Sequence, residues 1–592
     1  MARKSAVESS EVRTWLGAIK NAETERDQAD NKYGYSASLS QYRGDFSVLP
    51  SFVSNVDVIP INEVYAYAKT FVPSVYAREP YIAINPHGAR SIAGAKMLEL
   101  ALRAYWRELR LKKEGRRVIW DGVFAEGWMK VGYTGVFGEQ KPPDDKPALD
   151  PSEFVSHEEI FAKRISWKNM ARDCRAVDGL HDCRWVAQNV IVPLKAAQES
   201  SLYENTKDLK ATYVDKSGLK GEDYEEEYAS IWEIWDRDSY KVYALAEGAP
   251  DWLWKPKPWP YDMEGFPYVL LRFNENPDEA YAPNLIQPWI AQLWEKMKIR
   301  AMQMDHIKRY NRQMQAARGA FTAAEKAKFT KGLTGSIIEH DPKFPDGMKT
   351  IPYPPFQQDA YATEGRIDLD KDNVSGQPNA VRSAPQRTQS RTLGEIDRLV
   401  GAFQARQIDP QSQVEEFLEE VGYKLIKVMQ EHLPGEKFVR ATAKDAEEVI
   451  SAFGKEIFDG SGFRMSRDQI RGVEFDLDLK AGSTLPLDRQ GRMEAVTSFL
   501  KLGATIGIQP GDEVSVVAGK VLLGELELKE LELAFDRKLA RMSAMEKMSK
   551  AAAIAANQLT QDKVHAMQER LSREQAAGME PPMPQSGGGN GM

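Results

Sequence analysis

The chain has very little cysteine, with only Cys174 and Cys183 in 592 residues. So low a content excludes a scaffold stapled by disulfides and is typical of proteins made in a reducing compartment. No run of about 18 apolar residues occurs, so we expect no transmembrane helix. The first residues, MARKSAVESSEVRTWLGAIK, lack the apolar stretch of a signal peptide. These absences predict a soluble protein made in a cytoplasm, with no membrane partner.

Motifs of the common enzymes are also missing. No G-x-x-x-x-G-K-[ST] phosphate loop is present, because Gly332 and Gly335 lie too close together and lack the following Lys-Ser or Lys-Thr. Neither G-x-S-x-G nor H-E-x-x-H occurs. The sequence therefore predicts no ATPase, no catalytic residue and no cofactor.

Two clusters invite a metal-site interpretation. Cys174, His181 and Cys183, with His157 upstream, match no standard zinc spacing, and two small thiols beside a loop histidine are the simpler interpretation. The acids between 359 and 372 lack the regular spacing and glycine of a calcium loop. A solvated or ion-paired face is the simpler interpretation there, and we expect no metal.

The bulk composition is that of a globular protein. It is 42% hydrophobic and 28% charged, and its 13 Trp, 22 Tyr and 22 Phe favour large buried or interfacial surfaces. The length suggests about three or four domains. The net charge of −8 is unusual for a simple nucleic-acid binder. Any contact with DNA would therefore use local basic patches or hold the DNA loosely.

The N-terminal half divides into a helical and a β-rich part. Apolar residues at helical spacing predict helices over residues 8–30, 61–77, 90–115 and 116–130. We expect the second of these to break near Pro73, because proline cannot donate to the helix ladder. Short alternating runs predict strands over 132–283, including a hairpin, IWEIWDRDSYKVYAL, with a polar turn.

A long helix is predicted over 285–318, with two contrasting faces. One face is an apolar stripe: Ile286, Trp289, Leu293, Met297, Ala301 and Met304. The other face is basic: Lys296, Lys298, Arg300, Lys308, Arg309, Arg312 and Arg318. A basic face of this kind binds phosphates, faces another subunit, or is simply solvated, and the sequence leaves these alternatives open.

The segments after this helix change character several times. A compact insert over 319–356 precedes a short acid-rich segment, 357–372. Residues 373–392, NVSGQPNAVRSAPQRTQSRT, contain three arginines, no acid and two isolated valines, so they predict a mobile polar loop. An apolar-periodic helix follows from Leu393, and Pro410 predicts that it is kinked or in two pieces.

The C-terminal part returns to mixed structure before a helical end. Residues 437–483 predict a small α/β segment ending in the strand VEFDLDLKAGS. Residues 486–572 are almost wholly helical by pattern, and the Gly- and Pro-rich tail, 573–592, is expected to be disordered.

Taken together, the order of parts resembles the portal proteins, or head-to-tail connectors, of tailed double-stranded DNA bacteriophages. The stretches that carry the resemblance are YAYAKTFVPSVYAREPYIAINP, DGVFAEGWMKVGY, EIWDRDSYKVY, PWPYDMEGFPYVLLRFN and FDLDLKAGSTLP. The helix–insert–helix–loop–helix order from 285 to 433 adds to them. The resemblance covers roughly residues 20–560.

The resemblance implies an α+β, mostly helical, multi-part fold with a smaller β-rich region. It divides the chain into 1–283 (wing), 284–318 (stem helix), 319–356 (clip), 357–372 (second stem segment), 373–392 (tunnel loop), 393–485 (long wing helix and C-terminal wing), 486–572 (crown) and 573–592 (tail).

The resemblance also implies a function. It predicts a homo-oligomeric ring, typically a dodecamer, at one capsid vertex of the virion, assembled in the host cytoplasm. Double-stranded DNA would pass through its channel during packaging and ejection. The expected partners are the terminase large subunit, a head-tail adaptor, tail proteins, and the major capsid and scaffolding proteins.

Two groups of residues are the candidate DNA contacts under this interpretation. The tunnel-loop candidates are Arg382, Arg387 and Arg391. The stem candidates are Lys296, Arg300, Lys308, Arg309 and Arg312. Two alternatives remain: another virion structural protein, such as a tail adaptor or minor capsid component, and a metal-dependent nuclease that uses the acidic and Cys/His clusters.

Overall fold

The computed structural model describes the chain in two compact units, Met1–Pro486 and Leu487–Met592. The described residues are 10–47, 60–80, 82–87, 92–137, 155–200, 203–215, 226–310, 314–331, 338–339, 341–345, 347–350, 359–377, 393–433, 437–440, 450, 462–479, 561, 563–570 and 572. In the second unit, residues 563–570 are helical and exposed. The predicted crown and tail otherwise lie outside the described residues.

The first unit mixes helices and strands, which agrees with the predicted α+β class. Its described helices are α1 (Ser10–Tyr33), α2 (Tyr35–Tyr42), α3 (Glu63–Val75), α4 (Ile92–Glu108), α5 (Leu111–Phe124), α6 (Leu194–Glu199), α7 (Ile290–Tyr310), α8 (Ala323–Lys331), α9 (Asp359–Ser375), α10 (Leu393–His432) and α11 (Arg467–Ile470). Short 3-10 turns occur at Trp167–Asn169, Thr206–Asp208 and Gln287–Trp289.

Most of the described strands pair antiparallel with a strand that precedes or follows them in the sequence. They are β1 (Ile82–Pro86), β2 (Gly127–Phe137), β3 (Val155–Ile165), β4 (Met170–Arg172), β5 (Trp185–Pro193), β6 (Tyr213–Asp215), β7 (Glu226–Asp236), β8 (Lys241–Ala246), β9 (Trp254–Pro258), β10 (Tyr268–Leu271), β11 (Met314–Ala316), β12 (Met348–Thr350), β13 (Lys437–Arg440), β14 (Gly462–Met465) and β15 (Phe475–Leu479).

These strands form several small sheets. The largest has the order β4-β5-β7-β8-β9, with β6 also paired to β7, and a second has the order β10-β2-β3. The predicted hairpin is the β7–β8 pair, in which Trp235 lies opposite Val242. β1 pairs with β15, nearly four hundred residues later, so residues 475–479 lie against the N-terminal part of the chain.

The central helix of the first unit is α10. It contacts strands β2, β3, β10 and β15 as well as helices α3, α4 and α11. Its inward residues, among them Val414, Leu418, Leu425 and Met429, are at most 1% exposed. The main hydrophobic core therefore forms around α10 and joins the N-terminal helices to the small β10-β2-β3 sheet.

The structure corrects two predicted helix boundaries in the N-terminal half. The break between the third and fourth helices lies at Arg110, which has a left-handed φ of 52°, and not at residue 115. No glycine or proline marks this corner, so the pattern gave no signal for it. The predicted break near Pro73 is the end of α3 at Val75, with Pro73 inside the last turn.

Three further corrections concern the long helices. The helix predicted over 285–318 gives way to strand β11 at Met314, where pairing with β12 outweighs helix propensity. Helix α9 continues to Ser375, and Gly376, at φ 69°, ends it, so the predicted loop starts later than 373. The helix from Leu393 is one continuous element with Pro410 inside it, not two pieces.

Helix α5 and strand β2 approach closely at Gly127. A Cβ at this position would lie 2.4 Å from the carbonyl oxygen of Val118. This distance is shorter than any ordinary contact, and the obstacle is backbone, which cannot rotate away. Gly127 is therefore required for the α5–β2 packing that supports the buried Trp128 beside it.

We predict that Gly127→Ala destabilises the protein by about 1–3 kcal/mol, because the added methyl must push α5 away from β2. The matched control is Gly17→Ala in α1, where a Cβ would meet nothing within 4 Å. That change should stabilise by about 0.5–1 kcal/mol through helix propensity. Urea unfolding of both variants tests this, and equal stabilities would contradict the close approach.

Candidate functional site: the paired helices and their insert

Helices α7 and α9 pack against each other, and the insert lies between them along the chain. Leu293, Met297 and Ala301 of α7 are fully buried, and Ile367 of α9 is 4% exposed. α9 also contacts the 3-10 turn that precedes α7, where the indole of Trp289 donates to the carbonyl of Leu285. The chain therefore leaves the core on α7 and returns to it on α9.

The insert is a small module with few anchors. Strands β11 and β12 pair antiparallel, with Met314 opposite Thr350. The amide of Ala317 donates to the carbonyl of Gly347 at 3.0 Å, which closes the module. Helix α8 has no buried residue, and the side chains of Thr322 and Glu325 cap its start. Within the described part of one chain, α8 therefore presents all its sides to solvent.

A partly buried ion-pair network fixes the two helices to α3. The Lys296 amine lies 3.0 Å from Glu63 Oε1 and 2.6 Å from Asp368 Oδ1. The Lys371 amine, whose side chain is 1% exposed, lies 2.9 Å from Asp368 Oδ1 and also pairs with Glu63. Two amines and two carboxylates balance, so the network links three helices without leaving a net buried charge.

The pKa values of this network follow from its geometry. Burial alone would raise the pKa of Glu63, but the hydrogen bond and charge of Lys371, helped by Lys296, hold it below its usual range. Burial likewise opposes ionisation of Asp368, yet the two lysines lower its pKa. Burial disfavours charged Lys296, and its carboxylate partners still raise its pKa. All three groups are therefore charged near neutral pH.

The predicted stem cations divide into those the structure describes and those it does not. Lys296 belongs to the network, and the Arg300 guanidinium lies 3.2 Å from Glu364 on α9. Lys308 and Arg309 belong to helix α7, but the structure describes only their backbone and not their side chains. The remaining candidates lie outside the described residues: Arg312, Arg382, Arg387 and Arg391.

Sequence reasoning missed Glu63 and Lys371, the other two members of the network. Lys371 was detectable as a lysine inside a segment otherwise dominated by acids. Glu63 carries no local signal, because its partners lie more than two hundred residues away. The ion-paired interpretation of the acids in 357–372 is confirmed for Glu364 and Asp368.

Exposed apolar side chains lie on the same pair of helices. Met302, Met304 and Ile307 of α7 are 49%, 38% and 49% exposed, and Leu369 and Val374 of α9 are 58% and 47% exposed. Met304 is the last residue of the predicted apolar stripe and is exposed, so the buried part of the stripe ends at Ala301.

The two cysteines of the Cys/His cluster do not form a metal site in the described residues. The Cys183 thiol is fully buried and donates to the carbonyl of Trp185, and burial raises its pKa to about 11. Burial raises the pKa of Cys174 to about 12. Among the residues that the structure describes, no group of three or more His, Cys, Asp or Glu side chains is arranged to hold a metal ion.

Comparison with known proteins gives no assignment. No protein-family model matches the chain, and no curated protein matches it significantly. In the part of the chain described here, no helix is both long enough and apolar enough to cross a bilayer. The site must therefore be interpreted from its own geometry and from the order of elements in the chain.

We predict that Glu63→Gln lowers the free energy of unfolding by about 3–5 kcal/mol at pH 7, because it leaves a buried lysine short of a counter-charge. Glu63 has a folded pKa below its ordinary 4.5. Its contribution is therefore present above that pH and is lost as the pH falls through the folded value. The gap between wild type and variant should shrink as the pH falls below 4.5.

The matched control for this experiment is Glu204→Gln, which removes an exposed partner 3.6 Å from Lys255. Exposed pairs contribute little, so this variant should resemble wild type at every pH. Thermal unfolding between pH 3 and pH 8, with hydrogen exchange followed in α9, measures both. A pH-independent loss in Glu63→Gln would contradict the electrostatic role of the network.

Proposed function

We propose that this chain is a phage portal protein. Copies of it would form a ring at one capsid vertex, with a central channel that admits double-stranded DNA during packaging and releases it during ejection. In this proposal α7 and α9 are the stem, the insert with β11, α8 and β12 is the clip, and residues after Gly376 contribute the tunnel loop. The first unit beyond the stem is the wing.

The observation that carries the proposal is the helix–insert–helix arrangement. Two packed helices, α7 and α9, are locked to α3 by the network of Glu63, Lys296, Asp368 and Lys371. They carry the insert at their far end and lead into a basic segment and then the 40-residue α10. A stem that must keep its position while DNA moves past it needs such a rigid attachment.

The second support is the set of exposed apolar residues on α7 and α9. A ring with rotational symmetry needs two different surfaces on each subunit that fit each other. Met302, Ile307 and Leu369 are among the apolar side chains that are exposed to solvent in the single chain. Burial of these groups against a neighbouring copy would supply the apolar part of such an interface.

The charge distribution suits a channel that binds DNA weakly better than a site that binds DNA tightly. The chain has a net charge of −8, and Lys296 and Arg300 are each paired with a carboxylate of the same chain. Every phosphate contact made by an unpaired cation would add affinity and salt dependence. A channel lined by few unpaired cations would hold DNA weakly and without sequence preference.

The proposal assigns partners by region. The exposed insert would dock the terminase large subunit during packaging and a head-tail adaptor or tail protein afterwards. The wing would meet the major capsid and scaffolding proteins. The protein would act in the virion as a structural component, without catalysis or cofactor.

We expect the purified protein to assemble into rings with a central hole, visible by negative-stain imaging. Sedimentation should give a mass that is an integral multiple of the 66.7 kDa chain. A stable monomer at all concentrations would contradict the proposal. Stoichiometric metal, or DNA cleavage that is lost in Asp368→Ala, would favour the nuclease alternative instead.

We predict that replacing Arg382, Arg387 and Arg391 together by Ala leaves ring assembly intact but impairs DNA packaging or retention, because weak contacts to moving DNA are lost. The control replaces Gln386 and Gln389, in the same segment, by Ala. An in vitro packaging assay measures both variants. Failure of the arginine variant to assemble would assign this segment a structural role instead.

A further inference from the structure

A large cleft opens between α10, β10, β15 and the connections around residues 178–181, 264–266 and 272–275. Its volume is about 900 Å³. Its apolar lining includes Phe266, Phe417, Tyr423 and Phe475. The cleft is large enough to admit several side chains of a second protein, and none of the functions described so far uses it.

The rim of this cleft carries an excess of negative charge. Seven carboxylates line it, against two arginines and one lysine: Asp178, Glu264, Glu275, Glu416, Glu419, Glu420 and Asp476. We call this surface the acidic cleft. The excess is four negative charges, counted from the same lining residues.

The cations of the acidic cleft contact mainly backbone carbonyls, and one of them also pairs with a cleft carboxylate. The Lys424 amine donates to the carbonyls of Phe266 and Tyr268 and pairs with Glu420. The guanidiniums of Arg237 and Arg272 donate to backbone carbonyls. Burial, together with the nearby charges of Asp478 and Glu416, raises the pKa of Glu419. Glu420 is thus paired with Lys424, and Asp476 lies 2.7 Å from the His87 ring. Glu416 and Glu419 repel each other, and an incoming cation would stabilise this pair.

A complementary surface lies at the corner between α4 and α5. It consists of Arg107, Arg110, Lys112, Lys113 and Arg116, all exposed, and we call it the basic corner. Arg107 is 76% exposed and lies 3.9 Å from Glu79. The other four have no ion pair or side-chain hydrogen bond with any described residue. They point outward because Leu111 and Val118 hold the opposite face of α5 in the core.

The two surfaces lie on different sides of α10. Phe417, Glu420 and Lys424 line the acidic cleft, whereas Leu418 lies 3.7 Å from the Cβ position of Gly115 on α5. Because α5 and the cleft contact different faces of α10, one subunit presents opposite charges in different directions. This polarity is what a head-to-tail contact between identical chains requires.

We infer that the basic corner of one copy docks into the acidic cleft of the next copy, forming a heterologous contact between neighbouring chains. The inference deepens the proposed function and rests on it, since it specifies one contact of the ring. Cationic side chains would enter between the carboxylates, and their aliphatic stems would pack beside Tyr423, the aromatic lining residue that is not already buried. The contact is charged on both sides, so it should weaken with added salt.

Charge reversal tests this contact directly. One variant reverses the cleft (Glu416→Lys with Glu419→Lys), and the other reverses the corner (Lys113→Glu with Arg116→Glu). Each alone would place like charges opposite each other and should weaken association about tenfold or more. The control reverses charges on α6, with Lys195→Glu and Glu199→Lys, and should assemble as wild type.

Mixing the two variants gives the decisive result. In an alternating ring, the normal corner of the first variant meets the normal cleft of the second, and the reversed corner meets the reversed cleft. The inference therefore predicts that equimolar mixing restores rings that neither variant forms alone, as measured by mass photometry at low salt. Recovery of assembly also shows that both variants are folded.

Several results would overturn the inference. Normal rings from each variant alone would show that the two surfaces do not meet, while leaving the portal proposal intact. Loss of assembly without recovery on mixing would show that the residues act separately. Loss of DNA binding by the corner variant with unchanged rings would reassign the corner to DNA. A wild-type protein that forms no ring would instead refute the portal proposal itself.

Discussion

The partly buried ion-pair network of Glu63, Lys296, Asp368 and Lys371 is the constraint on which the geometry of the candidate stem depends. It ties α7 and α9 to α3, a helix of the main core. Buried ion pairs add little net stability compared with apolar packing, but breaking one is costly. We interpret the network as a device that fixes orientation, so that the exposed insert is carried by two helices that cannot slide independently.

Long periodic segments were predictable from the sequence, and interactions between distant segments were not. The pattern over 8–30 gave α1, and the alternation around the β7–β8 turn gave the hairpin. Boundaries failed where tertiary contacts decide them: at Arg110, which adopts a left-handed conformation without glycine, and at Met314, which pairs with a strand beyond α8. Of the candidate site, Lys296 and Asp368 were noticed, but Glu63 was not, because its partners are distant in sequence.

The exposed surfaces of the first unit suggest how identical chains could associate. Apolar groups remain in water on α7 and α9, a basic corner projects from α5, and an acidic cleft opens beside α10. Apolar surfaces supply most of the free energy of association, and charged surfaces supply orientation and exclude wrong partners. Together they offer the two unlike surfaces that a closed ring requires.

The most direct test of the portal account is a cryo-electron microscopy reconstruction of the assembled protein. The account predicts a closed ring in which α7 and α9 surround a central opening wide enough for double-stranded DNA. The insert would lie at one end of this opening, and residues 378–392 would face the axis. A monomer, or a ring whose axis is lined by the β4-β5-β7-β8-β9 sheet with α7 and α9 on the outside, would contradict it.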